Sequence, residues 1–310
     1  MKTCFLFPGQ GAQYPGMGKD LWESSSKVKE LFTRASDKTG KDLCKLIFSG
    51  SEDELKSTDN AQIAITLVNL SAAAVLGEKG ITSSGCAGFS LGEYAALVEA
   101  GVISIDDVFP IVNDRGRIME RVSRGLDSAD GSPGMAAVIG LSYEKMASLI
   151  KESGVGGVYI ANYNSPVQIV ISGTNDGLLK AEEICKEAGA RRYIRLKVSG
   201  PFHSPLLEEA KKEFVSVLDG YEFNNPRKTV YSNVTGAEIS SGEEAKKLCG
   251  DQIISTVKWV DEEKRILDDA FDRCIEVGPG KVLAGLWRGV DKEIRCESAG
   301  TLEGIQKIAG

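Results

Sequence analysis

The hydrophobic pattern of residues 135–198 switches repeatedly between the two-residue period of strands and the longer period of helices. It predicts strands at 135–141, 158–163, 168–173 and 193–198 and helices at 143–153 and 176–189. This strand–helix–strand–strand–helix–strand order is the split βαβ pattern of ferredoxin-like folds, which closes into a small antiparallel sheet. We therefore expect a small ferredoxin-like subdomain over residues 129–198, preceded by a turn-rich linker at 123–134.

The chain on both sides of this insert predicts a larger α/β unit. Its clearest segments are strands at 3–7 and 84–88 and helices at 59–79 and 93–100. Short apolar strands that alternate with helices are typical of a parallel sheet. Residues 1–128 and 199–310 are thus expected to fold together as one large subdomain, and the fold class as a whole is α/β.

The composition is that of a soluble globular protein with a core, since 42% of the 310 residues are apolar and 26% are charged. A net charge of −7 argues against nucleic-acid binding, and no apolar run approaches the ~20 residues that span a bilayer. The seven cysteines form no C-x-x-C pair, which favours free thiols over a disulfide framework or a zinc site. We expect a cytoplasmic protein.

The segment Gly88-Phe89-Ser90-Leu91-Gly92 matches the G-x-S-x-G nucleophile elbow and lies between a predicted strand and a predicted helix. Glycines on either side of the serine allow a tight turn, and the backbone N–H of Leu91 is then available to an oxyanion. A chance glycine-rich turn between a strand and a helix is the alternative. The position between strand and helix favours the nucleophile.

The chain contains a single histidine, His203, so any imidazole base must be this residue and a multi-histidine metal site is excluded. It lies in a turn-rich segment bounded by Pro201 and Pro205, just after the predicted insert. An isolated histidine is usually an ordinary residue, but an elbow serine needs a base. The order of serine before histidine is that of α/β hydrolases. Sequence spacing does not show which group orients His203.

The loop after the first predicted strand, residues 7–13, contains two glycines and could supply a second oxyanion donor, the backbone N–H of Gln10. A dinucleotide loop is excluded because G-x-G-x-x-G requires glycine where Tyr14 stands. A purely structural turn remains the alternative.

The charged run at 113–117 is expected to be mostly solvated, as charges on a helix usually are. One of its arginines would act differently if it lay near an acyl site. A guanidinium can hold a free carboxylate bidentately, which lysine does less well.

Together these segments resemble the malonyl-CoA–acyl carrier protein transacylases, whose catalytic domain recurs in polyketide synthases. Six motifs carry the resemblance in order from about residue 3 to 290: Phe7-Pro8-Gly9-Gln10-Gly11, Gly88-x-Ser90-Leu91-Gly92-Glu93, Arg115-Gly116, Pro201-Phe202-His203-Ser204-Pro205, Ser232-Asn233-Val234-Thr235-Gly236 and Glu276-Val277-Gly278-Pro279-Gly280. The resemblance implies a hydrolase-like large subdomain with a parallel sheet and an inserted ferredoxin-like small one.

The resemblance implies a role for each matching residue. Ser90 would be the nucleophile and His203 its general base and acid. The backbone N–H groups of Gln10 and Leu91 would form the oxyanion hole.

Two further roles complete the implied site. Arg115 would clamp the free carboxylate of a malonyl group. Gln252, seven residues before Trp259, would orient His203 through its backbone carbonyl.

The implied reaction is ping-pong transfer of malonyl from malonyl-CoA, through acyl-Ser90, to the phosphopantetheine thiol of an acyl carrier protein. The partners would therefore be a coenzyme A thioester and the carrier. Neither a metal nor a permanently bound cofactor is expected, since phosphopantetheine belongs to the carrier.

The chain departs from the family at three positions. Phe89 precedes the nucleophile where the family usually has histidine, and Ile63 follows Gln62 where proline is usual. Before Trp259 the chain has Thr256-Val257 where the family often has Pro-Val. Phe89 bears most on the acyl group, so a different extender unit is an alternative. Phe202, which the family has before the histidine in malonyl-type enzymes, is retained and favours a small dicarboxylic acyl group.

Two alternatives differ in function. A proofreading acyl hydrolase of a polyketide pathway would use the same Ser90–His203 pair with water as acceptor. A non-catalytic carrier-binding protein would be expected to lack Ser90, His203 or Arg115, and all three are present.

A cluster of cations beside the predicted subdomain boundary is a candidate docking surface for the acidic carrier. Its members are Arg191, Arg192, Arg195 and Lys197. An ordinary solvated face is the alternative.

Overall fold

The computed structural model describes residues 1–310 and contains two β-sheets. The nine strands are β1 Thr3–Phe7, β2 Gly85–Gly88, β3 Gly134–Ile139, β4 Val158–Ser165, β5 Gln168–Gly173, β6 Arg192–Arg195, β7 Thr229–Val230, β8 Arg273–Glu276 and β9 Cys296–Ser298. The helices are α1 Lys19–Ser24, α2 Ser26–Thr39, α3 Leu43–Ser49, α4 Glu52–Lys56, α5 Thr58–Glu78, α6 Gly92–Glu99, α7 Val108–Gly125, α8 Tyr143–Ser153, α9 Asn175–Glu187, α10 Glu208–Leu218, α11 Gly242–Gln252, α12 Trp259–Asp268, α13 Val282–Trp287 and α14 Leu302–Ala309.

The larger sheet is parallel throughout and has the strand order β7-β2-β1-β8-β9. Helices cover both faces of such a sheet, so its central strands must be apolar on both sides. Strand β1 meets this condition, because all five of its residues are buried. Phe7 pairs with Gly88 at the ends of β1 and β2. The loops that follow these two strands therefore lie side by side at the carboxyl edge of the sheet.

The smaller sheet is antiparallel, with the order β4-β5-β3-β6 that closes a ferredoxin-like unit. Its strands alternate between two apolar faces. Ala136 and Val138 of β3 pack in a cluster with side chains of α8 and α9. Met135 and Ala137, pointing the other way, belong to the main core of the chain. One face of the insert thus lies under its own helices, and the other packs against the larger unit.

The predicted fold class is confirmed: the chain is α/β, with a parallel sheet and a ferredoxin-like antiparallel sheet. The subdomain boundaries at 128/129 and 198/199 stay a prediction. Two local predictions were wrong. Helix α7 continues to Gly125, so the first residues of the predicted linker are helical. Strand β6 ends at Arg195 rather than 198: Leu196 still donates its N–H to the Met135 carbonyl of β3, and residues 196–198 line a cleft.

Helix α5 crosses the core of the larger unit. Its length and hydropathy would suffice to span a membrane, but 78% of its most apolar window is buried inside the fold. A helix that is apolar all round is what the centre of a large α/β unit requires, because neighbours contact it on every side. The burial of α5 within the protein accounts for its composition.

Candidate active site

A cleft of about 470 Å³ opens at the carboxyl edge of the parallel sheet, between the two subdomains. The loops after β1 and β2 form one wall, and residues of β4 and β5, among them Asn162 and Val170, form the other. The sequence-predicted residues in its lining are Gln10, Ser90, Leu91, Arg115, Lys197, Phe202 and His203. The fold therefore brings together segments that are far apart in the chain.

The turn at Ser90 is as tight as the sequence pattern predicts. Ser90 has φ of 51°, a conformation that non-glycine residues rarely adopt. A Cβ at Gly88 would lie 2.1 Å from the backbone of Gly92, and a Cβ at Gly92 would lie 2.0 Å from the Phe7 carbonyl oxygen. Only glycine fits at these two positions. The close packing of β1, β2 and α6 in this way raises Ser90 into the cleft.

The Ser90 hydroxyl lies 2.7 Å from Nε2 of His203, and Nδ1 of His203 lies 2.9 Å from the backbone carbonyl oxygen of Gln252. A carbonyl oxygen can only accept, so Nδ1 must carry the ring proton. The Nε2 lone pair is then directed at the serine hydroxyl. This tautomer is the one that can remove a proton from Ser90.

The position of His203 depends on an unusual backbone. Its φ is 58°, and two serine hydroxyls hold the segment before it: Ser172 of β5 donates to the Phe202 carbonyl, and Ser204 donates to the Pro201 carbonyl at 2.6 Å. The side chain is 4% exposed. Burial, and then the nearby Arg115 charge, lower the pKa of His203 to about 4, against an opposing hydrogen bond to Gln252. The imidazole is therefore neutral at pH 7.

Two residues of the cleft lining, Gln10 and Leu91, have backbone N–H groups without an acceptor in the protein. Neither Leu91 nor Gln10 donates its N–H to any acceptor in the protein, whereas the N–H groups of Phe89 and Ser90 are both bonded. Leu91 is also buried, with 1% of its surface exposed. Buried backbone donors almost always find an acceptor, so the Leu91 N–H is available to an oxygen that enters the cleft, and the half-buried Gln10 N–H can join it.

Arg115 is buried with 2% of its surface exposed, yet it makes no ion pair with a carboxylate. Its two terminal nitrogens donate to the side-chain oxygens of Gln62 and Gln252, both at 2.9 Å, and its guanidinium lies 5.3 Å from the Tyr94 ring centre. Its Nε has no partner. A buried cation with only neutral acceptors is costly unless an anion completes the site. Arg115 thus gives the cleft an unmatched positive charge.

A buried polar network lies beneath the serine turn. The Asn233 side chain accepts from the Ser90 N–H at 2.7 Å and donates to the Gly88 carbonyl at 2.7 Å. The Gln252 side-chain nitrogen donates to the Ser90 carbonyl at 3.1 Å. These bonds hold both ends of the strained turn. Sequence reasoning placed Asn233 in a motif without giving it a role.

Two carboxyl groups complete this network, and sequence reasoning gave neither a role. Glu93 accepts from the Asn233 N–H and from Gln252, both at 2.9 Å, and Glu262 accepts from the Asn233 side chain at 2.7 Å. Burial raises the pKa of Glu93 to about 7, although its hydrogen bonds and Arg115 oppose the shift. Burial and then the Glu93 charge raise the pKa of Glu262 well above its usual range. The one hint of a buried role in the sequence was that Glu93 stands in an otherwise apolar first turn of α6.

The structure shows what each of the three residues that depart from the family pattern contacts. Phe89 lines the cleft and packs edge-on against Trp259, with ring centres 5.5 Å apart. Ile63 is a fully buried core residue. Thr256 donates its hydroxyl to the Ile160 carbonyl at 2.6 Å, which ties the large subdomain to β4.

Most of the candidate docking cluster lies outside the cleft. Arg191 precedes the edge strand β6, and it is exposed like Arg192 and Arg195 within that strand; Lys197 is exposed but also lines the cleft. Of the four cations, only Lys197 is thus part of the cleft itself.

Chemically, the cleft combines a serine hydroxyl paired with a neutral imidazole, two free N–H donors and a buried guanidinium. This set suits nucleophilic attack on an acyl group that carries a carboxylate. The conclusion agrees with comparisons to known proteins. The family model described as acyl transferase domain matches residues 4–306.

Relatives of known name and structure match almost the whole chain. The malonyl CoA-acyl carrier protein transacylase of Bacillus subtilis is 38% identical over 307 residues, covering 98% of this chain and 95% of the relative. The crystal structure of an acyl carrier protein S-malonyltransferase from Vibrio cholerae superposes with a TM-score of 0.94, at 34% identity, covering 99% of this chain and 100% of that one.

A further solved structure is a malonyl-transacylase in complex with its type II PKS acyl carrier protein. It superposes with a TM-score of 0.93, at 34% identity, covering 99% of this chain and 98% of that one. The resemblance inferred from the sequence motifs is confirmed. The chain belongs to the acyl transferase domain family and, within it, to the malonyl-CoA–acyl carrier protein transacylases.

Proposed function

We propose that this chain transfers a malonyl group from malonyl-CoA to the phosphopantetheine thiol of an acyl carrier protein, through an ester on Ser90. The observation that carries the proposal is the 2.7 Å hydrogen bond from the Ser90 hydroxyl to His203, in a cleft that also contains the unmatched Arg115. The names of the relatives support the same acyl donor and acceptor.

In the first half-reaction, His203 Nε2 takes the Ser90 proton while the serine oxygen attacks the thioester carbonyl. The negative charge that develops on the thioester carbonyl oxygen is stabilised by the N–H groups of Gln10 and Leu91, each worth roughly 3 kcal/mol of barrier. When the intermediate collapses, the carbon–sulfur bond breaks. Coenzyme A leaves as a thiol with the proton that His203 carries, and malonyl-Ser90 remains.

In the second half-reaction, the carrier's phosphopantetheine thiol gives its proton to His203 and attacks the ester carbonyl. The same two N–H groups hold the oxyanion. The ester bond breaks, and Ser90 recovers the proton from His203. The acyl group has then passed from one thiol to another through a single oxygen ester, which requires ping-pong kinetics.

Arg115 would select the acyl group. A malonyl carboxylate can approach the guanidinium and supply the anion that Gln62 and Gln252 do not. A charge-assisted hydrogen bond to such a group contributes about 1.5–3 kcal/mol. Acetyl, which has no carboxylate, gains nothing from Arg115. We therefore expect malonyl to be preferred over acetyl.

The carrier would approach along the cations of β6 and its continuation. Carrier proteins of this kind are acidic, Arg191, Arg192, Arg195 and Lys197 are all exposed, and Lys197 also lines the cleft. We also propose that the enzyme works in the cytoplasm. All seven cysteines are free thiols, which suits a reducing compartment.

The proposal is tested by intact-protein mass spectrometry after brief mixing with malonyl-CoA, methylmalonyl-CoA or acetyl-CoA. Wild type should gain the malonyl mass, lose it when a phosphopantetheinylated carrier is added, and transfer that mass to the carrier. Ser90→Ala should gain nothing. An acyl-enzyme that decays to free acid regardless of carrier would show a hydrolase instead.

A matched pair of arginine variants tests the selection of malonyl. Arg115→Gln should lose the preference for malonyl over acetyl. Arg117→Gln removes an exposed arginine two residues along the same helix, paired only with Asp114, and should retain the preference. Equal effects of the two substitutions would contradict the role of Arg115.

A further inference from the structure

We propose that Glu93 is a positioning residue for acyl selection, which fixes the Gln252 side chain so that this amide directs the Arg115 guanidinium into the cleft. The inference rests on the proposed function, because it concerns how Arg115 discriminates malonyl from acetyl. Glu93 itself does not line the cleft, so it would act only through Gln252.

Gln252 joins the parts of the site. Its backbone carbonyl accepts from His203, and its side-chain oxygen accepts from Arg115 at 2.9 Å. Its side-chain nitrogen has three acceptors around it: the Glu93 carboxylate at 2.9 Å, the Ser90 carbonyl at 3.1 Å and the Asn233 side-chain oxygen at 3.2 Å. One residue therefore contacts the base through its backbone, and the serine turn and the guanidinium through its side-chain amide.

This arrangement allows a single orientation of the amide. If it rotated by half a turn, its oxygen would face three acceptors and its NH₂ would face the Arg115 donors. Of the three acceptors, Glu93 makes the shortest hydrogen bond and is the only carboxyl group.

Glu93 is itself held rigidly. It is 1% exposed, sits in the first turn of α6, and its second bond comes from the Asn233 backbone N–H at 2.9 Å. Its other carboxylate oxygen has no partner. All of its hydrogen bonding is thus directed at the network beneath the serine turn. The distance that a glutamate side chain spans from α6 is what brings the acceptor to Gln252.

Because Gln62 and Gln252 are the only hydrogen-bond acceptors of Arg115, loss of the Gln252 contact would leave the guanidinium free to turn about one remaining bond. A misdirected guanidinium no longer meets a carboxylate with two N–H groups. Malonyl loading then suffers, whereas acetyl loading, which makes no use of Arg115, does not.

Two substitutions separate the reach of Glu93 from its charge. Glu93→Gln retains the length and one oxygen that can accept both bonds. Glu93→Asp retains the charge but is shorter by one methylene, so its oxygens fall short of Gln252. The measurement is the ratio of kcat/KM for malonyl-CoA to that for acetyl-CoA, from acyl-enzyme formation by mass spectrometry. The thermal midpoint of each variant shows that it is folded.

We expect Glu93→Asp to lower the malonyl-to-acetyl ratio by about tenfold to a hundredfold, mainly through the KM of malonyl-CoA, and Glu93→Gln to keep the ratio within about fivefold of wild type. A folded Glu93→Gln that loses the ratio more than about tenfold overturns the proposal, whatever happens to Glu93→Asp. So does a Glu93→Asp variant that retains the wild-type ratio.

The control is Glu263, another buried glutamate, whose hydrogen-bond partner is Nε1 of Trp259. Glu263→Asp and Glu263→Gln should leave the ratio unchanged. The malonyl-to-acetyl ratio of wild type distinguishes a failure of this inference from a failure of the proposed function. A wild-type enzyme without a preference for malonyl contradicts both, whereas a preference that Glu93→Asp retains contradicts only the role of Glu93.

Discussion

The low pKa of His203 makes a quantitative prediction about the pH dependence of acylation. With a pKa of about 4, the imidazole is about 99% neutral at pH 6 and about 90% neutral at pH 5. An ordinary histidine with a pKa of ~6.5 would be about 24% neutral at pH 6 and about 3% neutral at pH 5. Since only the neutral ring can accept the Ser90 proton, the acylation rate should be almost constant from pH 8 to pH 5 and fall below that.

The assay is quenched-flow mass spectrometry of the first turnover, with malonyl-pantetheine as donor. This thioester lacks the phosphates of coenzyme A, whose second ionisation near pH 6 would add its own titration. The same profile is measured in Glu93→Gln, because the pKa of Glu93, raised to about 7 by burial, lies inside the range. A decline near pH 7 that disappears in this variant belongs to Glu93.

The reasoning is refuted by a rate that falls about fourfold between pH 8 and pH 6 in both wild type and Glu93→Gln, since His203 would then titrate as an exposed histidine does. A second arm tests the contribution of Arg115 to the low pKa. In Arg115→Gln, acetyl-pantetheine loading should lose activity at a higher pH than in wild type, because one of the two causes of the shift is removed. Burial remains, so the midpoint should stay below 6.5.

Three further predictions concern the turn, the network and the carrier. In urea unfolding, Gly92→Ala should lower the free energy of unfolding by about 3 kcal/mol or more, because its Cβ would lie 2.0 Å from the Phe7 carbonyl oxygen. The control Gly77→Ala, whose Cβ would have no atom within 4 Å, should be neutral or stabilising by up to about 1 kcal/mol. Asn233→Ala should lower the free energy of unfolding by about 3–5 kcal/mol and slow acylation, because the Ser90 N–H and the Gly88 carbonyl lose their buried partner. An acylation rate equal to that of wild type would contradict this role. Glu in place of Arg191 and Arg192 should raise the KM for the carrier and leave the kinetics with malonyl-CoA unchanged, and an unaltered carrier KM would rule out this docking surface.

Local sequence patterns predicted much of the fold. The alternation of periods over 135–198 predicted the order of elements in the small sheet, because strand and helix periodicities are set by residues two to four apart. The ends of elements were less accurate. The prediction ended β6 three residues too late, since Leu196 and Val198 continue the alternating apolar pattern of a strand but line the cleft.

The candidate site was predictable to the extent that its chemistry is local. The glycines around Ser90 indicated a tight turn, and the single histidine left one candidate base. The group that orients His203 was not visible in spacing alone, and it was the resemblance that suggested Gln252. Glu93 and Asn233 went without roles because a polar residue in a motif does not show what it touches, and Glu262 lies outside the six motifs.

The sequence by itself determined the fold class and the reaction chemistry, because periodicity, glycines and the presence of one histidine are properties of the chain. Only the tertiary structure decided how that chemistry is directed. Arg115 and Gln252 are 137 positions apart, and Ser90 and Asn233 are 143 apart. Hydrogen bonds over such separations form only when packed elements bring the groups within 3 Å of each other, away from competing water. The partners of the guanidinium, the single orientation of the Gln252 amide and the neutral state of His203 all follow from that packing.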